Sequence, residues 1–493
     1  MILRSTCVVA AGLALGMATM GCDNSWQSPL PTQHIRLAPT TQPISAEVRL
    51  DRSLIMPVHR ELLAIDLSAV AQLVQARNTD ILSARRRVEA VYGQYASRVG
   101  GAFPVLSPGV LFEFHRGGAR DSSGRIITAD FASLQPAAAL DWVVNPGQVV
   151  YDILASKKQL QASQQDELMV RIRTMQQAAT QYYDLCLAQA TIAADREIQR
   201  QAEELVRITS SKLKEGTAVP ADDLRARAVL AQRQQDMLLA INGFYHASIS
   251  LAATLDLDAS VTLVPRPDKV VCLTLVDDNA GLDRLMVLAI ENRPDLKATR
   301  ERLAAADAGQ NATVWGGLGP GVAAGYEGGG IASRTNGQSF DMRGQQDATV
   351  GVGWRLSAAA FGDIQTAQSR YRLAIVDVQA QIDQLRAEVV QAVQDSRTNV
   401  KLVPIATQEL TAAAESLRRI TVSFRVGKAI LLDVLEAQSL LAEARLRYAR
   451  SVVAYNQSQI RILAAMGLLD AAALGDKSGV PTATSSSLST TDK

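Results

Sequence analysis

The chain has 493 residues, a formal net charge of +1, and a composition that is 47% hydrophobic but only 4% aromatic. Near-neutrality removes the electrostatic case for a nucleic-acid partner. Four cysteines and four scattered histidines (His34, His59, His115 and His246) make neither a disulfide framework nor a metal site; with no nucleophile–base pair and no phosphate-cradling loop, neither a cofactor nor an enzymatic activity is expected.

Residues 1–22 read as a targeting segment. Arg4 supplies a positive start, Val8 to Met20 is uncharged and apolar, and Thr19-Met20-Gly21-Cys22 resembles the bacterial lipobox, which makes Cys22 the lipidated N-terminus of the mature chain. An ordinary signal peptide cut elsewhere is the alternative. Asp23 resembles an inner-membrane retention signal of enteric bacteria, which points against an outer-membrane destination. Residues 23–60, with Pro29, Pro31, Pro39, Pro43 and Pro57 among polar residues, read as an extended tether. No mature segment reads as a transmembrane helix. The nearest, 237–255, lacks a full charge but contains Asn242, Gly243, His246, Ser248 and Ser250, and is expected to pack against protein.

The body of the chain is duplicated. Asn78-Thr79-Asp80-Ile81 recurs as Arg293-Pro294-Asp295-Leu296, 215 residues on. Asp141-Trp142-Val143 recurs as Gly353-Trp354-Arg355, 212 on, and Lys214-Glu215-Gly216 as Arg425-Val426-Gly427, 211 on. The repeats are placed at 61–257 and 281–468, with a linker at 258–280 and a Ser/Thr-rich tail at 469–493 expected to be disordered.

Each repeat reads as helix, strand pair, long helix, turn and returning helix. The opening helix is expected over 67–98 and 281–309. Period-two alternation of apolar residues places strands near 104–115 and 137–144, then 319–326 and 348–356. Polar, Gly-rich loops are expected between them at 115–125 and 327–346, and the second takes in Gly328-Gly329-Gly330. From Trp142 to Gly216 is 74 residues and from Trp354 to Gly427 is 73. As single helices these reach on the order of 100 Å, with a kink expected at Pro404. Leu410, Ala413, Leu417, Ile420 and Phe424 are spaced 3-4-3-4, and Leu441, Tyr448, Tyr455 and Ile462 recur every seven, which favours antiparallel coiled-coil packing of the long helix on its successor or plain bundle packing. Gly216-Thr217-Ala218 and Gly427-Lys428-Ala429 put glycine where a helix must stop and reverse. The returning helices are too short to cover the long ones alone, so the opening helices are expected to stack on them end to end.

Asn292-Arg293-Pro294-Asp295-Leu296 with Leu303-Ala304-Ala305-Ala306, then Phe424-Arg425-Val426-Gly427, Leu432-Asp433-Val434-Leu435-Glu436-Ala437-Gln438 and Leu463-Ala464-Ala465-Met466-Gly467, resemble the signatures of TolC-type outer-membrane efflux proteins, especially the lipoprotein branch that serves resistance-nodulation-division pumps. The resemblance covers roughly 60–470, more loosely in the first repeat. It implies a mainly α fold with a small β part: a homotrimer whose chains each give four strands to a twelve-stranded outer-membrane β-barrel, joined to a long periplasmic α-helical barrel. It further implies an exit duct of a tripartite efflux pump, passing small molecules outward when opened by a periplasmic adaptor (membrane fusion protein) and an inner-membrane pump. Carried over by position, the adaptor-docking turns are Gly216-Thr217 and Val426-Gly427. The pore constriction falls on Asp433 and Glu436, the latter standing where the family usually has Asp. Phe112, Phe114, Trp142 and Trp354 are expected to face outer-membrane lipid.

Three rivals remain at this point. A periplasmic adaptor has one long hairpin rather than two. A type I protein-secretion outer component uses the same duct. A structural coiled-coil lipoprotein would have lipid anchoring without a pore.

Overall fold

The computed structural model describes residues 47–49, 62–216, 219–267, 269–277, 281–335 and 341–475. Cys22, the leader, most of the tether, Thr217 and the tail beyond Gly475 lie outside them. Strands β1 (Glu47–Arg49) and β2 (Leu62–Ile65) lead into helices α1 (Leu67–Arg77) and α2 (Thr79–Gly100). Strands β3 (Val105–Arg120) and β4 (Ile126–Val144) follow, then the long helix α3 (Pro146–Lys214) and the returning helix α4 (Pro220–Thr254). Strands β5 (Thr262–Pro265) and β6 (Lys269–Val271) connect to the second repeat, which comprises α5 (Leu282–Asn292), α6 (Pro294–Leu318), β7 (Pro320–Thr335), β8 (Asp341–Trp354), α7 (Ala359–Arg425) and α8 (Leu431–Ala465), with a short α9 (Ala471–Gly475) after it.

Several expected boundaries move. Glu47–Arg49, inside the expected tether, pairs antiparallel with Lys269–Val271 of the linker, and Thr262–Pro265 pairs parallel with Leu62–Ile65. Side chains of α8 pin the linker: Asn456 Oδ1 accepts from Leu273 N at 2.7 Å, and Gln459 Oε1 from Leu275 N and Val276 N at 3.0 and 2.8 Å. The ordered chain also runs past 468, because α9 packs against α1 and fully buries Leu474. Each opening helix is two helices rather than one. Asn78 (ψ 128°) and Arg293 (ψ 116°) leave the helical region at the break, the latter because the ring of Pro294 disfavours α geometry before it.

The four long strands form one antiparallel sheet in the order β3-β4-β7-β8. They are longer than their alternation suggested, since glycine and polar residues of the expected loops continue the ladder up to Arg120, Thr335 and Asp341. The Gly328-Gly329-Gly330 cluster is therefore strand, and its middle residue has a steric reason. Pro136 has no N–H to give, and the β4–β7 ladder skips Gln135 and Pro136. At that gap a Cβ on Gly329 would sit 2.3 Å from Pro136 O.

Directly paired residues share a face, and the register puts all even-numbered strand residues on one side. That face carries Val110, Phe112, Phe114, Leu134, Leu140, Trp142, Val322, Tyr326, Val350, Val352 and Trp354, with Phe112 62%, Val350 83% and Trp354 63% exposed. The odd face carries Glu113, Asp141, Glu327, Arg343, Asp347 and many small residues. All four aromatic residues singled out above lie on the even face; Trp142 is half-buried, its indole N–H donating to Ala102 O at 2.8 Å.

The helices make a wall of four columns. Asn145 caps α3, accepting from Gln148 N, and Pro146 at the first helical position fixes its start. Along α3, Ser210 meets Asp223 of α4, Gln181 meets Ser250, and Glu167 meets Arg85 of α2, so α4 and α2 share one column. Along α7, Glu409 meets Arg447, Asp395 meets Arg461 and Glu388 meets Arg293, so α8 and α6 share another. The heptad residues Ala413, Leu417, Phe424, Leu441, Tyr455 and Ile462 are all buried; the first four share one core of α7, α8 and α3, while the Tyr455 hydroxyl meets Thr274 of the linker. The α6–α8 column lies between α3 and α7, paired to α3 through Lys158–Glu301 and Gln457–Asp184. Among the described residues the outer columns, α2–α4 and α7, share no extended packing.

Gly329→Val places a branched side chain against the backbone of Pro136 and is expected to cost about 1–3 kcal/mol or more in the sheet. Heat-modifiable migration of the membrane fraction checks it, and a fully folded species at wild-type yield would contradict the close approach.

Candidate channel gate

The two helical reversals sit at the end of the wall opposite the sheet. At the first, Gly216 has φ +71°, with its N–H on Leu213 O at 3.1 Å. At the second, Gly427 has φ +79°, and Lys428 N–H reaches back to Ser423 O at 2.8 Å, closing the helix end by a left-handed residue. Val219, Leu224, Val426, Ile430 and Leu432 stand more than half exposed around these turns.

Asp433 has a local role: its Oδ2 accepts from Ile430 N at 3.1 Å, satisfying one of the open donors at the start of α8, and the side chain is half-buried. Glu436 lies one turn on and is exposed, so the two acids share the face of α8 turned away from its core contacts Val434, Ala437 and Leu441. The first repeat differs. Asp222 occupies the position of Asp433, but Asp223 is buried, accepts from Ser210 Oγ at 2.6 Å and pairs with Arg227 at 2.8 Å. The Ser210 hydroxyl, then Arg227, hold its carboxyl below the ordinary carboxylate range.

Beneath the turns, α3 joins the second hairpin. Leu205 and Ile208 share an apolar core with Leu410, Leu417, Phe424, Leu431, Val434 and Leu441. Lys212 Nζ donates to Phe424 O at 2.7 Å and stands 4.2 Å over the Phe424 ring. Arg425 approaches Glu204 at 3.5 Å, and Glu204 already accepts from Arg207, whose guanidinium holds that carboxyl below its ordinary value. These two ties between hairpins were not legible in the sequence, where Lys212 and Glu204 look like ordinary solvated charges.

A second feature explains a motif. Arg293, only 2% exposed, donates from Nη1 to Ala465 O at 3.1 Å, at the end of α8, and pairs with Asp295 at 2.8 Å and Glu388 at 2.5 Å. Gly467 (φ +72°) brings the two backbone segments so close that a Cβ would lie 3.0 Å from Arg293 Cα. The first repeat repeats the clasp with Asn78, whose Nδ2 donates to Thr254 O at 2.8 Å at the end of α4. Asp256 (φ +54°) stands in place of the glycine. Each clasp is the end-to-end joint of a stacked column.

The sequence profile of the outer membrane efflux proteins matches residues 70–256 and 285–468, one stretch in each repeat. The chain belongs to the outer membrane efflux protein family. It is 26% identical over 160 residues to the outer membrane protein TolC of Salmonella enteritidis; that match spans 31% of this chain and 33% of TolC. Among solved structures, the fold is similar to the outer-membrane channel OprN (TM-score 0.72, 18% identity, 88% of this chain and 99% of that one). It is also similar to VceC of Vibrio cholerae (0.70, 16%, 81% and 96%). A third is the open state of the MtrE outer membrane channel of Neisseria gonorrhoeae (0.68, 15%, 87% and 99%). This efflux protein is thus an outer-membrane component that extends into the periplasm, with the TolC-type fold in both repeats.

Arg293→Ala leaves Asp295 and Glu388 without their cation and frees Ala465 O, a loss expected to reach about 3–5 kcal/mol. Urea titration followed by tryptophan emission measures it; a shift no larger than that of a surface arginine such as Arg86 would remove the clasp from the account.

Proposed function

We propose that three copies of this chain close head to tail into the exit duct of a tripartite efflux pump, carrying small molecules from the periplasm to the exterior. The observation that carries the reading is that, among the described residues, the chain is open on matching sides of both layers. In the sheet, the outer edges of β3 and β8 pair with no described strand; in the helical wall, the α2–α4 column and α7 share no extended packing. Unpaired strand edges in hydrocarbon cost several kcal/mol per group, and a heterologous contact that closes removes all of them. Helix α4 is long and apolar enough to cross a membrane by composition, with 28% of its most apolar stretch buried. Its exposed Leu238, Leu239 and Ile249 would meet the neighbouring copy, as would Leu373, Val376 and Ile405 of α7.

The even sheet face supports the barrel. Trp354 and Trp142 lie at the end near the helices, and Phe112 and Phe114 near the far end. From Trp142 to Ala132, the partner of Phe114, is ten residues, about 34 Å along the strand and about 24 Å across a membrane at a tilt of about 45°, which matches the apolar band of outer-membrane barrels. Lipid therefore meets Phe112, Phe114, Trp142 and Trp354, and the polar odd face lines the lumen.

At the periplasmic end the turns Gly216-Thr217 and Val426-Gly427 receive a periplasmic adaptor, which fits their exposed apolar rim. Asp433 and Glu436, one set per chain, form an acidic constriction that favours cations. The Lys212–Phe424 and Glu204–Arg425 ties hold the hairpins together in the closed state. Cys22 anchors the chain to lipid.

Lys212→Ala combined with Glu204→Gln is expected to raise single-channel conductance in planar bilayers severalfold; unchanged conductance would sink the tie as a gate. Asp433→Ala with Glu436→Ala should lower the preference for potassium over chloride with trimer yield intact, and an unaltered reversal potential would move the constriction elsewhere. Gly427→Val adds a left-handed strain of about 1–2 kcal/mol and should reduce drug export at normal protein level. Full export would detach that turn from docking.

A further inference from the structure

We propose that Arg116, Arg120 and Arg334 form a cationic collar on the outside of the barrel that binds the phosphate groups of outer-leaflet lipid. The inference rests on the reading that the even sheet face meets the membrane. That face is apolar from Trp354 to Phe114, and its charged residues are confined to the end away from the helices. They are Arg116, Arg120 and Arg334 with a single acid, Asp130, among the described residues of the four strands, a net +2 per chain. The acids of the sheet otherwise lie on the odd face or beyond the strand ends. Arg334 stands level with Phe114, both being in register with Ala132. Arg116 lies one pleat further out, opposite Asp130, and Arg120 two pleats beyond it, opposite Ile126.

The position decides the partner. Directly outside the apolar band of a barrel lies the headgroup layer, and on this side it is that of the outer leaflet. Guanidinium groups there find phosphate esters, which they hold through two parallel N–H bonds. Arg116 is preset for this. Its Cζ stands 5.7 Å over the Phe114 ring, which lies in the girdle, and its side chain is still 72% exposed while bonded to Asp130 at 3.0 Å. All three basic positions are arginine, and lysine is absent from the four long strands, so the collar suits planar, two-pronged recognition better than a diffuse positive field.

The test uses the full-length chain purified as its folded assembly in detergent, with bisphosphorylated lipid A, lipid A stripped of both phosphates, and inorganic phosphate as probes. Wild type is expected to bind the bisphosphorylated form on the order of 100-fold more tightly than the stripped form, a difference expected from three arginines at an anionic surface. A molar excess of inorganic phosphate should not displace it. The combined variant Arg116→Gln, Arg120→Gln, Arg334→Gln should bind both forms alike while keeping wild-type conductance in planar bilayers. Equal wild-type affinity for the two lipids, displacement by inorganic phosphate, or undiminished discrimination in the variant would each overturn the collar. Because the Arg120 side chain makes no ion pair or hydrogen bond among the described residues, the smaller, same-direction loss of Arg120→Gln alone is read if the combined variant does not assemble. Loss of the channel reading would instead show as a wild-type protein without conductance.

Discussion

Every peptide group that enters hydrocarbon must be hydrogen-bonded within protein, and this chain satisfies that rule only in part. Its sheet has four strands, enough to pair β4 and β7 on both sides but leaving β3 and β8 each with one bare edge. The remaining features of the sheet follow from living with that constraint. Pro108 lies on the edge strand β3 and Pro136 where the β4–β7 ladder lapses, glycine at Gly329 accepts the resulting close approach, and the even face carries the apolar and aromatic residues.

The helical wall extends the same incompleteness. Column α6–α8 is covered on both flanks, and α8 accordingly buries residues along its whole length, from Leu431 to Ala465. Column α2–α4 is covered on one flank, and α4 buries far fewer, although the two returning helices are equal in length. The repeats thus began alike and diverged according to place, one becoming an inner column and the other an edge. The tips record the same divergence: Asp223 is folded inward on Ser210 and Arg227, while its counterpart Val434 joins the apolar core.

Much of this could be read from the chain. The constant offset between the repeats, the long uninterrupted helices and the glycine reversals at Gly216 and Gly427 each follow from one-dimensional rules of periodicity and backbone freedom. The aromatic residues Phe112, Phe114, Trp142 and Trp354 could be assigned to one face because a strand has a strict period of two. The strand ends could not, because polar residues and glycine carry a ladder as well as valine does once a neighbour supplies the hydrogen bonds. The break at Asn78 was hidden for a related reason: its side chain is held by a carbonyl 176 residues away, and the residues around it favour a helix on both sides. The break at Arg293 was signalled locally by Pro294, and the distant carbonyl of Ala465 only adds to it. The ties at Lys212 and Glu204 depend on a tertiary neighbour from the other repeat, which no local pattern reports.

The two clasps have mechanical weight. A column of two stacked helices transmits force along its axis only as well as its joint does. In the inner column the joint is a buried guanidinium held by two carboxylates and a carbonyl, with glycine letting the backbones touch. In the outer column the corresponding tie, among the described residues, is a neutral hydrogen bond from Asn78 to Thr254. Under axial or twisting load on the tips, the outer rod is the softer spring and yields first, while the inner one behaves as a stiff strut. The duplication therefore produced a support whose bending is placed at one joint per repeat pair, where two stacked helices meet, nearer the sheet than the tips because α2 is shorter than α4.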